Sequence, residues 1–545
     1  MEHGTTTRQA TDVSGSGTLD AAPAAPAAGS RWDRRVLAQH APRWWPLAAV
    51  LIVQAALSLR LVWVNTAFQD EATYLWAGHL EWAHWLHGAP IPPFAAYFSG
   101  APVIYPPLGA LADSIGGLAA ARILSLVFML GATALLWGAT DRLYGRRAAF
   151  FSAALFAVLG PTLHLGAFAT YDAMSVFLVA LATWLVVRAP DSGDATGRMV
   201  AAGAALALAN ATAYSSLLFD PIVVLVAVLI AVPKPGGKIA GRRIAILLVV
   251  LVVLLLAGLL IGGSTLLSGF RLTTLDRVPG AASPLTVLTD SWSWTGIVIV
   301  LALCGLVISA VSRRGHLRTW LLVVLMVAAI LGPVSQARLH TAASLNKHVG
   351  LGAWFATIAA GYAVDWFVAA APAGRNRLLT CAACVVALAF PISLGAGQSR
   401  AFSTSWPNSS SFTAIMRPLA ATGNGHLLVE DPTIAEYYLA TGSQWQRWSS
   451  TRNIVLPSGA STGGPSQKAG VVGPGNAGTF GTKIASGYFS LVALNFADTT
   501  SLDHQIRADL RLNHHYKIIE VVPYGVEIPP IGQGTYVIWK YEPSP

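Results

Sequence analysis

Apolar residues in this chain come in long runs separated by short charged connections, the pattern of membrane-spanning helices. The first run, about 44–64, follows Arg31, Arg34, Arg35 and Arg43 and has no small-residue cleavage site after it. It therefore reads as a retained helix, not a signal peptide. Its one charge, Arg60, lies near the far end, where it can snorkel. Further runs at 118–138, 148–167, 172–188, 199–214, 217–233, 243–263, 294–311, 319–334, 349–369 and 378–396 bring the expected number of spans to about eleven. Beyond residue 400 the pattern changes. Strand-like stretches at His426–Glu430, Tyr488–Asn495, Tyr516–Val522 and Gly534–Tyr541 alternate with helical patterns near 433–440 and 500–513, and a Gly/Ser/Pro-rich stretch at 457–483 reads as a loop. The expected architecture is an α-helical polytopic membrane protein with a C-terminal small α/β domain. Its parts are a disordered tail at 1–42, a transmembrane domain at 43–399 with a first outer loop at 65–117, and the α/β domain at 400–545.

Composition strengthens the membrane assignment: 54% of residues are apolar and 11% charged, with a mean hydropathy of +0.56. The net charge of +10 invites a nucleic-acid reading, but its distribution excludes one. Arg142, Arg146, Arg147, Arg188, Arg198, Lys234, Lys238, Arg242, Arg243, Arg313, Arg314, Arg318, Arg375 and Arg377 all fall in alternate connections, which the positive-inside rule places in the cytoplasm. The opposite connections hold only Arg271, Arg277, Arg338 and Lys347. The expected location is the plasma membrane, multi-pass, with the N-terminus cytoplasmic and the C-terminal domain outside. Cys304, Cys381 and Cys384 lie inside apolar runs and imply no disulfide framework.

The candidate chemistry is acidic and sits on the expected outer side. Asp70-Glu71 follows the first run with no Lys or Arg nearby on its far side, and Asp172 opens a later run. A carboxylate at such a boundary is costly without a task, although Asp172 could simply cap its helix. Arg122, at the start of the second run, must either snorkel outward or pair with an acid, and Asp70 or Asp172 would serve. The connection from Gln336 to His348 gathers Arg338, His340, Lys347 and His348, donors suited to a lipid phosphate or to anionic lipid in general. The loop at 65–117 is crowded with Trp76, Trp82, Trp85, Phe94, Tyr97 and Phe98, as an interfacial aromatic belt would be, and parts of it are expected to lie flat on the membrane as short helices. No metal site is expected: His79, His84 and His87 share that loop with Glu71 and Glu81, but their spacing fixes no third ligand. Gly473–Gly478 matches a dinucleotide glycine pattern but contains Pro474 and is read as a loop without a following helix. Cys381 and Cys384 fit small-residue helix packing, and Asn408-Ser409-Ser410 is a bare sequon.

Asp70-Glu71, Tyr105-Pro106-Pro107-Leu108, Arg122, Gly145-Arg146-Arg147 and Asp172 occur in an order and spacing that resemble the lipid-carrier-dependent glycosyltransferases of the C-type superfamily, family 39 especially. Protein O-mannosyltransferases and aminoarabinose lipid A transferases belong to that group. The motifs cover roughly residues 65–190, and the hydropathy profile extends the match to about 400. One position departs: the lipid A enzymes usually carry lysine where this chain has Tyr105, which moves phosphate binding toward Arg338, Lys347 and His348.

The resemblance implies a hexosyl- or pentosyltransferase that moves a sugar from a polyprenyl-phosphate donor to a lipid, protein or polysaccharide hydroxyl outside the cytoplasm, with inversion. Asp70 is then the general base, its carboxyl raised toward the working range by lipid and aromatic walls, with Asp172 as its catalytic partner. Glu71, Tyr105, Arg122, Arg338, His340, Lys347 and His348 become substrate-binding candidates, with Asp172 and Glu71 either orienting hydroxyls or holding Arg122. No cofactor is assigned, and the use of a divalent cation by distant relatives leaves that question open. A transporter or flippase for a lipid-linked sugar is the alternative, although transporters place charged groups near the bilayer midplane and often carry internal repeats. A non-catalytic relative with a polymer-binding outer domain is a third reading.

Overall fold

The computed structural model describes residues 44–543 apart from 97, 232–236, 278, 313–315, 343, 371–374, 431, 441, 452–476, 497–498 and 525–533. The expected tail at 1–42, most of the loop at 457–483 and Gly473–Asn476 lie outside the described residues.

The chain opens with α1 (Trp45–Val62), α2 (Gln69–His87), α3 (Tyr105–Tyr144), α4 (Arg146–Val158), α5 (Gly160–Leu165), α6 (Tyr171–Arg188), α7 (Ala195–Thr212) and α8 (Asp220–Ala231). There follow α9 (Gly237–Phe270), α10 (Pro284–Val311), α11 (His316–Arg338), α12 (Leu345–Ala370) and α13 (Arg375–Ser403). Eight helices among the described residues are long and apolar enough to cross a membrane. The expected span at 148–167 is broken at Leu159 into α4 and α5, because Leu159 is extended and Pro161 restarts the helix. The expected span at 199–214 falls on α7, and that at 378–396 on α13, where side chains before residue 389 are not described. The protein is a multi-pass membrane protein whose central helix is α12: Trp354, Phe355, Ile358 and Ala359 are fully enclosed by neighbouring helices. The segment Gly241–Leu275 is the opposite case, with a mean hydropathy of 3.5 and Leu260 and Ile261 fully open to the surroundings, as lipid contact requires.

The segment 65–117, where short helices are expected, is largely helical. Its first part is α2, whose start is capped by Glu71: the carboxylate accepts the Phe68 N–H at 2.9 Å. Gly88 ends it in the left-handed region (φ 66°), with its N–H on the His84 carbonyl at 2.8 Å. Gly78 lets α2 lie directly on Pro106, where a Cβ would come within 2.0 Å of the carbonyl oxygen. That close approach brings in α3, which begins at Tyr105 instead of near 118 and is kinked at Gly116-Gly117.

After α13 come α14 (Ser410–Ala421), β1 (His426–Val429), α15 (Pro432–Leu439), β2 (Trp448–Ser450), α16 (Ala477–Ala485), β3 (Phe489–Leu494), α17 (Thr500–Leu512), β4 (Tyr516–Tyr524) and β5 (Gly534–Tyr541). The sheet order is β2-β1-β3-β5-β4, with β1 parallel to both neighbours and β5 antiparallel to β3 and β4. The short strand β2 has no sequence counterpart among the expected strands. A helix does follow the glycine-rich 473–478 stretch, contrary to expectation, because Phe480 and Ile484 give α16 an apolar face to bury against α17. Alternation along β1 and β3 sends Leu428, Val492 and Leu494 to the face covered by α16 and α17, and Leu427, Val429 and Ala493 to the face covered by α14 and α15.

Candidate functional site

Asp70 and Glu71 are adjacent on the first turn of α2 and therefore point about 100° apart. Glu71 turns into the protein and is fully buried. Arg122 of α3, 2% exposed, meets it in a two-pronged pair: Nε donates to Oε1 at 2.8 Å and Nη2 to Oε2 at 2.7 Å. The remaining guanidinium protons go to the carbonyls of Val62 (2.7 Å), Asn65 (2.9 Å) and Thr66 (3.1 Å). The Ala169 N–H adds a further bond to Glu71 Oε1 at 2.8 Å. Every prong is used, so the pair ties the end of α1, the start of α2, α3 and the residues before α6 into one unit.

Asp70 turns the other way, into a cavity of about 290 Å³. Lys347, from the first turn of α12, hydrogen-bonds Asp70 Oδ2 and lies 3.7 Å from Asp172 Oδ2. The lysine is 5% exposed, whereas the Asp70 side chain is 31% exposed and so open to a ligand. Asp172 is not the N-cap of α6, a position held by Thr170, and its Oδ2 has no hydrogen-bond partner. Tyr74 and Tyr171, with rings 4.5 Å apart, wall the same cavity. Burial first, then Tyr171 and the two aspartates, hold the Tyr74 hydroxyl well above its ordinary range, so it stays a donor. Across the cavity stand Arg277, Thr273, Thr274, Gln336 and His348. Gln336 Oε1 and Tyr214 Oη are buried without partners, which leaves polar groups available to a bound molecule.

The structure thus brings Asp70, Asp172, Lys347 and His348 together and leaves the other candidates elsewhere. Glu71 and Arg122 pair with each other, so the partner of Arg122 is neither Asp70 nor Asp172. Tyr105 is fully buried, its hydroxyl 3.3 Å from Ser125 Oγ. Arg338 is exposed and outside the cavity lining. His340, also exposed, has Nδ1 3.1 Å from the Ala282 carbonyl. Arg277 was visible only as one of the few basic residues on its side of the membrane; Tyr74, Tyr171, Tyr214 and Thr273 carried no separate signal, since aromatic and hydroxyl residues are common at membrane boundaries. His79 lies 2.6 Å from Asp113, which also accepts from Tyr437 of α15 at 2.8 Å. Burial and then the Asp113 carboxylate push the Tyr437 hydroxyl up, keeping it a donor in that contact. No cluster of three or more His, Cys, Asp or Glu able to hold a metal occurs among the described residues.

The C-terminal region grips the strand of chain that leads to Asp70. Asn65 donates to the carbonyls of Ser403 (3.3 Å) and Trp406 (3.0 Å), the Trp406 indole donates to Thr66 O at 3.0 Å, and the Ala67 N–H reaches Tyr438 Oη at 2.8 Å. Phe68 is packed edge-on against Trp406 and Phe168.

Residues 110–261 match the family model described as dolichyl-phosphate-mannose-protein mannosyltransferase. Among solved structures, ArnT from Cupriavidus metallidurans bound to undecaprenyl phosphate is similar with a TM-score of 0.58 and 16% identity, over 91% of this chain and 98% of that one. The archaeal oligosaccharyltransferase AglB from Archaeoglobus fulgidus, in complex with an inhibitory peptide and a dolichol-phosphate, is similar with a TM-score of 0.56 and 14% identity, over 93% of this chain and 74% of that one. No curated protein sequence matches the chain. The fold is similar to that of ArnT and AglB, and the segment matched by the family model contains Arg122, Gly145-Arg146-Arg147 and Asp172, while Asp70-Glu71 and Tyr105–Leu108 precede it.

Proposed function

We propose that the protein transfers a sugar from a polyprenyl-phosphate donor to an acceptor hydroxyl outside the cytoplasm, with inversion at the anomeric carbon. The observation that carries this reading is the convergence of Asp70 and Asp172 on Lys347 in one polar cavity of a C-type fold. In the proposed step the acceptor oxygen bonds to the anomeric carbon as the bond from that carbon to the phosphate oxygen breaks. The acceptor proton passes to the Asp70 carboxylate, the most exposed member of the trio. The polyprenyl phosphate leaves with the bonding electrons, and Lys347 and Arg277 offset its charge. His348 and Gln336 add polar contacts from α12 and α11. Asp172 and the Tyr74 hydroxyl orient sugar or acceptor hydroxyls, while Glu71 and Arg122 hold the backbone that aims Asp70.

The proposed displacement uses no divalent cation. The two carboxylates that could bind one are bridged by the Lys347 ammonium, which a metal would have to displace.

The decisive measurement is release of polyprenyl phosphate by the purified full-length protein in lipid nanodiscs, supplied in parallel with polyprenyl-phosphate hexoses and pentoses. Wild type should release it, and Asp70→Asn and Asp172→Asn should not. Wild-type rates in both variants would end this reading, and retention of the donor's anomeric configuration in the product would exclude the single displacement.

A further inference from the structure

A second cavity, about 140 Å³, lies where the sheet meets the start of α2. Its place in the sheet is informative. Strands β1 and β3 are parallel neighbours, yet the chain leaves β1 into α15 on one face and leaves β3 into α17 on the other. Two crossovers departing to opposite faces open a crevice at the carboxyl ends of the strands between them, the usual ligand position in open α/β sheets. Val429 and Glu430 at the end of β1, and Ala493 and Asn495 at the end of β3, line this crevice.

Its chemistry is specific. Glu430 is 2% exposed, and its two oxygens accept the N–H groups of Asn495 and Thr499 at 3.0 Å each, which fixes the carboxylate in the crevice wall. Trp406, Phe412 and Tyr536 supply rings, the latter two stacked 4.5 Å apart. Gln69 and Ser409 add neutral hydrogen-bonding groups, and no lysine or arginine is among the described lining residues. The half-exposed Tyr536 ring and the amide of Gln69 suit the apolar C–H face and vicinal hydroxyls of a sugar ring, with Glu430 a structural tie in the wall behind them. An anionic ligand would find no cation. A peptide bound by strand addition needs an unpaired strand edge, whereas β1 and β3 are both paired on two sides.

The crevice also adjoins the site described above. Gln69 lines it and Asp70, the next residue, lines the larger cavity, so the first turn of α2 is their shared wall. Phe68 lines the crevice while its ring lies 6.0 Å from Lys347 Nζ.

We propose that this crevice seats the acceptor, and that the acceptor is a neutral carbohydrate whose free hydroxyl reaches over the start of α2 to Asp70. The proposal rests on the glycosyl-transfer reading of Asp70. Its test uses the full-length protein on an array of neutral hexose and pentose oligosaccharides alongside Ser/Thr-rich peptides. Oligosaccharides should bind, and Ile434→Trp, which fills the crevice, and Tyr536→Ala, which removes a ring, should each weaken binding about tenfold or more. Neither substitution should change the release of polyprenyl phosphate to water by more than about twofold, since neither residue touches the larger cavity. On the unsubstituted protein, a photoreactive trisaccharide should label residues 406–412 or 430–434, a readout independent of how the variants fold. Binding of peptides alone, glycan binding indifferent to both substitutions, or labelling elsewhere would overturn the proposal. Failure of Asp70→Asn to slow donor release sinks the transfer reading itself, whereas normal donor release with an indifferent crevice sinks only the acceptor site.

Discussion

Asp70 and Glu71 are neighbours in sequence with the same functional group, and the structure gives them opposite tasks. Glu71 is enclosed and saturated, with Arg122 and two backbone N–H groups using both its oxygens. Asp70 and its distant partner Asp172 share a single ammonium, so that the trio keeps unused acceptor capacity and faces a cavity. A carboxylate whose every lone pair is taken by protein is a structural tie, and one with capacity left over is available for chemistry. The one helical step between residues 70 and 71 produces the difference.

The largest expected effect breaks the open cluster. Asp70→Asn should lower the rate of polyprenyl-phosphate release by about 10²–10⁴-fold, the usual contribution of a general base, with the thermal midpoint in detergent near that of wild type. A large loss of stability instead would place Asp70 in the same class as Glu71. The second effect breaks the closed pair. Glu71→Ala strands the buried Arg122 guanidinium and should cost about 3–5 kcal/mol of stability, seen as a lowered unfolding midpoint and poor yield. Replacing both members, as Glu71→Leu with Arg122→Met, should be milder than Glu71→Ala alone, because no unpaired buried charge remains. A double variant as unstable as the sum of the singles would show that the pair is not the unit described here.

A smaller effect sharpens the comparison from the far side. Tyr438 of α15 accepts the Ala67 N–H just ahead of the acidic pair, and Tyr438→Phe should cost about 1 kcal/mol by unfolding measurements. The smallest lies away from both clusters. Burial first, then Lys483 and Arg447, lower the His426 imidazole from its ordinary 6.5, so the folded protein binds fewer protons than the unfolded chain. Stability therefore declines as pH falls through about 6.5 and stops declining below the lowered folded value. His426→Phe, which keeps the stack on Tyr488, should flatten that slope in thermal scans between about pH 5 and 7.

Much of this was legible in the chain. Long apolar runs and alternating strands after residue 400 are local patterns, and local patterns survive folding. The acidic pair and Asp172 stood out because charges at the edge of a hydrophobic run are rare. The partners did not stand out. Nothing in sequence distinguishes Glu71 as the mate of Arg122, 51 residues away, from Asp70 in that role. Lys347 and Arg338 looked alike in sequence, two cations in one connection, but the helical start of α12 turns Lys347 inward to Asp70, 277 residues earlier, and into the cavity, while Arg338 stays exposed. Short helices were expected in the loop at 65–117, but not the length of α2, the start of α3 at Tyr105 or their close contact at Gly78 and Pro106, which depends on two segments meeting.

By itself, then, the sequence determined that this is a multi-pass membrane protein with a small terminal sheet and that carboxylates at the ends of its spans are the residues to examine. Those are properties of composition and period, which need no partner. Tertiary structure decided which carboxylate is tied and which is open, that one lysine serves two aspartates, and that a crevice in the sheet lies against the turn that carries Asp70. These depend on which groups meet across tens to hundreds of residues, and a hydrogen bond's geometry is set by the packing of whole helices and strands, not by the residues that flank it.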